Sequence, residues 1–251
     1  MSGATLHLLD EPHLRSEAGL AALPSNVPGF LLAYLALHGD WQSREAVTAA
    51  FWPDRSASEG LHNLRVNLHR ARQWLASLGL GERLEGERRR VRLALDCDVH
   101  AFRRAIDGPD AAAALDSYRR PFMHGMTLPG FPAIDDWLAR ERDAIARAWQ
   151  DASLAAAARL ESAGRDDEAW RLIQAVCRHD GASEAAVQAA LRLARNGGEA
   201  ARGLELFDRF AARLRSEVGA APLAETSELA RRLRAVEIGR ASCRERVLCV
   251  V

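Results

Sequence analysis

The apolar spacing in "LHNLRVNLHRARQWL", residues 61–75, admits one local structure. At about 100° per residue, Leu61, Leu64, Leu68, Ala71 and Leu75 cluster within about 80° of one another, the core stripe of an amphipathic helix. His62, Asn63, Val66, His69, Arg70 and Gln73 lie opposite. Val66 takes the centre of that face, where mere solvation favours Glu, Lys or Gln. Asn63 and Arg70 flank it on one side, His62 and His69 on the other, and Arg65 and Arg72 lie at the edge nearer the core. No Asp or Glu occurs from residue 60 to residue 81.

The neighbouring segments define a fold around this helix, which should run over about 57–77. "TLHLLDEPHLRSE" (5–17) reads as two short strands about a turn at Pro12. "PGFLLAYLALHGD" gives a first helix at about 28–38, with Pro28 suited to its first turn and Gly39 to its end. "QSREAVTAAFWPD" gives a second, N-capped by Ser43 and stopped by Pro53. After Gly79 and Gly81, "ERLEGERRRVRLAL" reads as two short strands flanking Gly86, a hairpin with a basic second strand. Arg88, Arg90 and Arg92 are expected on one face of it and Arg89 on the other. Strands, three helices and a hairpin make the order of a winged helix-turn-helix.

From about residue 99 strand signals give way to Ala-rich amphipathic helices. A long helix fits 133–163, with Ile134, Leu138, Ile145, Trp149, Ala152, Ala156 and Leu160 along one stripe. Asp135 and Asp136 suit its N-terminal dipole. "AGRDDEAWRLIQAV" (163–176) then repeats as "GGEAARGLELFDRF" (197–210): Gly164 matches Gly198, Ala169 matches Gly203, Leu172 matches Leu206, and Val176 matches Phe210. A 34-residue period of paired helices with small residues at the crossings is the tetratricopeptide signature. A weaker match, "AALDSYRR" with Tyr118, points to a degenerate earlier repeat. The fold class expected is therefore mainly α: an N-terminal winged helix-turn-helix (α+β, short strands and a β-hairpin wing) at 1–97, then an all-α tetratricopeptide-like domain at 98–236. "EIGRASCRERVLCVV" breaks the pattern, and 237–251 is read as a non-native, vector-like tail.

Composition narrows the chemistry. All 34 cationic residues are Arg, so the lysine of a Walker-type phosphate loop or a Schiff base is missing. Cys97, Cys177, Cys243 and Cys249 show no CxxC or metal-like spacing and are expected as reduced thiols. His62 and His69 are too far apart for a helical metal pair and lack an acidic third ligand. Neither catalytic residue, metal nor cofactor is expected. With no signal-like start and no apolar run long enough to span a bilayer, a cytoplasmic location without membrane association is expected.

The polar face matches what a DNA major groove requires: Asn for adenine, Arg for guanine, a small apolar group for the thymine methyl, and no carboxylate near phosphates. Charge is polarised although the 34 cations and 34 acids cancel. Residues 62–92 hold eight Arg against three Glu, net +5, while 1–61 hold three Arg against seven acids, net −4. A basic stripe of this kind is the footprint of phosphate contact.

"FLLAYLALHGDWQSREAVTAAFWPD" followed by "LHNLRVNLHRARQWL" resembles the DNA-binding half of bacterial transcriptional activators of the Streptomyces antibiotic regulatory protein (SARP) type. Those join a winged helix like that of response regulators to a bacterial transcriptional activation domain. "DVHAFRRAI", "ALDSYRRPFMHGMTLPGF", "DDWLARERDAI" and "LRSEVGAAPLAETSELARRL" resemble landmarks of that second domain, and the resemblance covers roughly residues 4–235. It implies that the third helix is the recognition helix and the hairpin the wing, with binding of promoter direct repeats as a homo-oligomer and recruitment of RNA polymerase. Base-reading positions would be Asn63, Val66, Asn67 and Arg70. Backbone or wing contacts would come from His62, Arg65, His69, Arg72, Arg88, Arg89, Arg90 and Arg92. "LPSNVPGFLLAYL" lacks the basic residues usual before the first helix, which should weaken sequence-independent affinity. The function expected is a sequence-specific transcriptional activator. The alternatives are a protein-interaction scaffold whose winged helix does not bind DNA, and the N-terminal part of a larger regulator with an ATPase or sensor domain.

Overall fold

A computed structural model describes residues 3–106, 108, 115, 118–217 and 219–248, with 238–248 described by backbone alone. Half of the early repeat expected around Tyr118 falls outside these residues. So does Cys249, and the side chain of Cys243 is likewise undescribed. The chain forms two compact units, residues 1–149 and 150–251.

The first unit is built around α1 (Val27–His38), whose residues from Pro28 to Leu37 are all buried. "FLLAYLAL" is apolar on every side, so no face of this helix can meet water, and full burial of each large side chain is worth about 1.5–3 kcal/mol. The Asn26 side chain accepts the Gly29 N–H at 3.1 Å, and Gly39, at φ 69°, closes the other end in the left-handed region.

Two small sheets and two helices enclose α1. β1 (Thr5–His7), β2 (His13–Ser16) and β3 (Gly19–Ala22) form an antiparallel meander, and β7 (Asp96–Cys97) pairs parallel to β1. β4 (Gln42–Ser43), β6 (Arg90–Leu93) and β5 (Leu84–Gly86) form the second sheet, in that order. The strands β1, β2 and the hairpin lie where the sequence pattern predicts them, whereas β3, β4 and β7 carry no such pattern. β3 is a small-residue run, "GLAA", and β4 and β7 are two residues each. Such pieces have no periodicity of their own and exist through their partners.

The helix-turn-helix follows. α2 (Arg44–Phe51) starts at Ser43, whose hydroxyl accepts the Ala46 N–H at 3.0 Å. α3 (Ala57–Ser77) opens with a reciprocal capping box between Ser56 and Glu59. The two helices meet at Gly60, where a Cβ would fall 2.2 Å from Thr48 Cγ2. Only glycine permits that approach. Leu64, Leu68, Ala71 and Leu75 are buried as expected, but Leu61 is 36% exposed and does not belong to the stripe. Gly60 takes the core position at that turn.

α4 (Asp98–Ile106) is tied to β1 by one side chain. Asp98 accepts the Leu8 and Leu9 N–H groups at 2.9 and 3.1 Å, with His7 Nδ1 3.6 Å away. Burial raises the Asp98 pKa from its ordinary value and these hydrogen bonds oppose the shift. Residues 118–149 pack into the same unit: Leu9 bridges to Phe122, the Met123 N–H donates to Leu8 O at 2.7 Å, and Trp137 lies 5.5 Å from Tyr34. Arg142 holds the 122–126 segment by donating to the carbonyls of Phe122, Met123 and Met126.

α5 (Pro132–Ser162) follows the predicted long helix to within a residue at each end. Ile134, Leu138, Ile145, Trp149 and Ala156 are buried, while Ala152 and Leu160 are half-buried. In the second unit, α6 (Asp166–His179), α7 (Glu184–Gly197), α8 (Ala200–Glu217) and α9 (Ala224–Leu248) form the helical array. The repeat is structural. Gly164 and Gly198 are both left-handed at the turns before α6 and α8, and Ala169, Leu172, Val176, Gly203, Leu206 and Phe210 are all buried. The backbone of α9 runs on through residues 237–248, the segment read from sequence as a foreign tail.

Replacing Asp98 by Ala should lower stability by on the order of 2 kcal/mol, since two backbone donors at the end of β1 lose their acceptor. Urea unfolding of the variant is expected to show a lower midpoint with an unchanged slope.

Candidate nucleic-acid interface

α3 carries the predicted face outward. His62, Arg65, His69 and Arg70 are exposed, and Asn63, Val66 and Asn67 are half-buried. Val66 is outside the core of the unit. Among the described residues, none of the side chains of His62, Arg65, His69 and Arg70 hydrogen-bonds or pairs with another side chain. Their donors stay unspent. Asn67 differs: its side-chain N–H donates to Asn63 O at 2.9 Å, one turn back, which ties its amide to its own helix. The Asn63 end borders a cleft of about 490 Å³ formed with Trp52, Asp54, Arg55 and Phe131.

The wing differs from its expected geometry. Val91 and Leu93 are buried and Arg90 and Arg92 face outward, as alternation requires. Arg88 and Arg89 are not strand residues; they form the hairpin tip, closed by the Glu87 N–H donating to Arg90 O at 2.9 Å. The three arginines expected on one strand face are thus two on the strand and one at the tip.

Those two strand arginines are engaged within the hairpin. Arg90 makes a forked bond to Glu87 at 2.8 and 3.0 Å, and Arg92 bonds Glu85 at 2.9 Å. Both guanidinium groups also stack over Trp41, at 4.5 and 4.8 Å from its ring centre. Arg88 and Arg89 are exposed and have no carboxylate partner among the described residues.

A further arginine belongs here that the sequence reading missed. Arg44, first residue of α2, donates from Nε to Glu87 O at 3.0 Å and from its backbone N–H to Arg89 O at 2.9 Å. Arg72, expected to face phosphates, donates to Leu84 O at 2.8 Å. Both guanidinium groups close on Gly86, where a Cβ would lie 3.3 Å from one and 3.7 Å from the other. Burial, then the nearby charges of Arg65 and Arg72, lowers the Arg44 pKa from its ordinary value. Arg44, Arg65 and Arg72 therefore form a cationic cluster at the base of the wing, two of them pinned by backbone carbonyls. One signal was legible in the sequence: a cation directly after the Ser43 N-cap opposes the helix dipole, so its place there has another cause.

Among the described residues no group of three or more His, Cys, Asp or Glu side chains is placed to hold a metal, and no helix is long and apolar enough to cross a membrane. Asp135 and Asp136 are exposed at the start of α5. Buried Cys97 has its thiol pKa pushed up to about 12, chiefly by desolvation.

The architecture is that of a winged helix-turn-helix followed by helical repeats, the fold implied by the resemblance to the SARP-type regulators. A solved structure of Mycobacterium tuberculosis EmbR, in complex with a low-affinity phosphopeptide, is similar to this chain with a TM-score of 0.64 at 15% identity, over 94% of its length. The chain spans 66% of that structure's length. No family model and no curated protein matches the sequence.

Trp41→Ala should free Arg90 and Arg92 from their shared ring and loosen the hairpin. The Arg44 and Glu87 amides, which bond across the wing, are expected to exchange with solvent several-fold faster, while the Leu68 amide in α3 keeps its protection.

Proposed function

We propose that the chain is a sequence-specific DNA-binding transcriptional regulator that lays α3 in the major groove and sets the hairpin against the adjacent backbone. One observation carries the reading: the outer face of α3 keeps His62, Arg65, His69 and Arg70 exposed and unpaired around a half-buried Val66, with no carboxylate on the helix after Glu59. A solvated face would pair such cations with i+4 acids, as the helices of the second unit do through Arg213–Glu217 and Arg232–Glu228.

In this reading Asn63 and Arg70 read base edges and Val66 lies against a thymine methyl. Asn67 is a weaker reader, because its amide is shared with Asn63 O. Phosphates fall to Arg65, to the Arg44 and Arg72 cluster, and to Arg88 and Arg89 at the tip, with His62 and His69 at the margin. Arg90 and Arg92 shape the wing and reach DNA only by exchanging Glu87 and Glu85 for phosphate. The helical unit serves self-association and contact with RNA polymerase or another regulator. Activation rather than repression follows from the SARP-type resemblance. The phosphopeptide-bound EmbR structure supports the regulator class through its fold.

Binding to the chain's own upstream region should weaken steeply with salt, as several phosphates release counterions; a flat response removes the groove-docking reading. Arg70→Ala should lose on the order of 1–3 kcal/mol on the specific site and far less on random DNA. Arg44→Gln should weaken both alike and reduce the salt slope by about one. Fluorescence anisotropy over a salt series measures all three.

A further inference from the structure

The second unit contains a cleft of about 390 Å³ that the DNA-binding reading does not use. It opens between the C-terminal end of α6, the 180–183 turn and the later half of α8. Its floor is apolar: Val187, Leu206 and Phe210 are each at most 7% exposed. Half-buried Cys177 forms a wall, and burial pushes its thiol pKa up. Arg178, Arg209 and Arg213 line the cleft and are exposed.

The arginines outweigh the acids. Asp180 alone of the lining residues is acidic, and its carboxylate is committed to the turn, accepting the Ala182 N–H at 2.9 Å and the Gln150 side-chain N–H at 3.4 Å. Arg213 pairs with Glu217 at 2.8 Å, and Arg209 approaches Glu205 only at 3.8 Å, both pairs well exposed and weak. Arg178 has no carboxylate partner among the described residues. The turn also makes room for a guanidinium: a Cβ at Gly181 would fall 1.8 Å from Arg213 Nη1.

The 34-residue repeat separates scaffold from ornament here. Floor residues Leu206 and Phe210 match Leu172 and Val176, apolar in both copies. Arg178, Arg209 and Arg213 correspond to Ala212, Ala175 and His179. Helix pairing therefore does not require the arginines.

We propose that this cleft is a ligand site for a small organic anion with an apolar body, the body on Val187, Leu206 and Phe210 and the anionic head between Arg178 and Arg209. A volume of about 300–1,000 Å³ with an apolar lining and a few convergent polar groups is the form of small-molecule sites. The inference stands independently of DNA binding. It gives the helical unit a sensory role, with the head group, a carboxylate or a phosphate monoester, as the recognised feature.

Calorimetric titration of the full chain with octyl phosphate, octanoate, 1-octanol, octylamine and inorganic phosphate tests it. At least one of the first two should bind about tenfold tighter than the alcohol, the amine and inorganic phosphate, and the tighter of the two identifies the head group. Arg178→Gln combined with Arg209→Gln, both at exposed positions, should weaken that binding about tenfold with an unchanged circular dichroism spectrum. Equal binding of octylamine, equal binding of inorganic phosphate, no binding of either anion, or full binding by the folded double variant would overturn the proposal. The same variant's retained affinity for promoter DNA separates this result from that of the groove-docking reading.

Discussion

A helix with no polar side organises the first unit. α1 is buried from Pro28 to Leu37, so it needs neighbours on every flank. α3 and β6 cover part of it, β7 another part, and Tyr34 packs against Phe51 and Trp137. A winged helix alone would leave part of α1 open. The segment from Phe122 to Trp149 joins the same compact unit, with Phe122 and Trp137 edge-to-face at 6.0 Å. The outward face of α3 is a consequence: its stripe is fixed against α1, which turns Val66 and its flanking polar residues away from the core.

Net charge says little about such a surface, because the same residue type does different work in different places. The wing holds Arg88, Arg89, Arg90 and Arg92, yet Arg90 and Arg92 are engaged by Glu87, Glu85 and Trp41. Arg44 on α2 meets Arg72 of α3 at Gly86, and Arg65 and Arg72 both lie close enough to lower the Arg44 pKa. Two of them are held by carbonyls instead of carboxylates, so their charge is oriented without being neutralised. That is an arrangement suited to an anion arriving from outside.

The repeat in the second unit has the same logic. Gly203 lies where a Cβ would come 2.6 Å from Ala194 Cβ and 3.3 Å from Leu233 Cδ2, so the crossing of α8 with its neighbours tolerates nothing larger. Ala169 fills the matched place in α6 and is equally buried. Small residues set helix spacing, the apolar residues that follow fill it, and the remaining surface is free to vary between copies.

Legibility in the sequence followed the range of the interaction. Helix positions, caps and stops were readable because they depend on residues within one or two turns: Ser43, Pro53, Gly39, and the stripe from Leu64 to Leu75. The 34-residue repeat was readable because its period is written in residue sizes. Strands β3, β4 and β7 were not, since pieces of two to four residues acquire their conformation from a partner strand far along the chain. Nor was the exposure of Leu61, which turned on how closely Gly60 brings α2 to α3, or the role of Arg44, which arises where three chain segments meet. The sequence by itself determined which faces are apolar and where the cations are counted. Tertiary structure alone decided which cations stay unspent, because pairing depends on distances of a few ångströms between residues that the chain keeps apart until it folds.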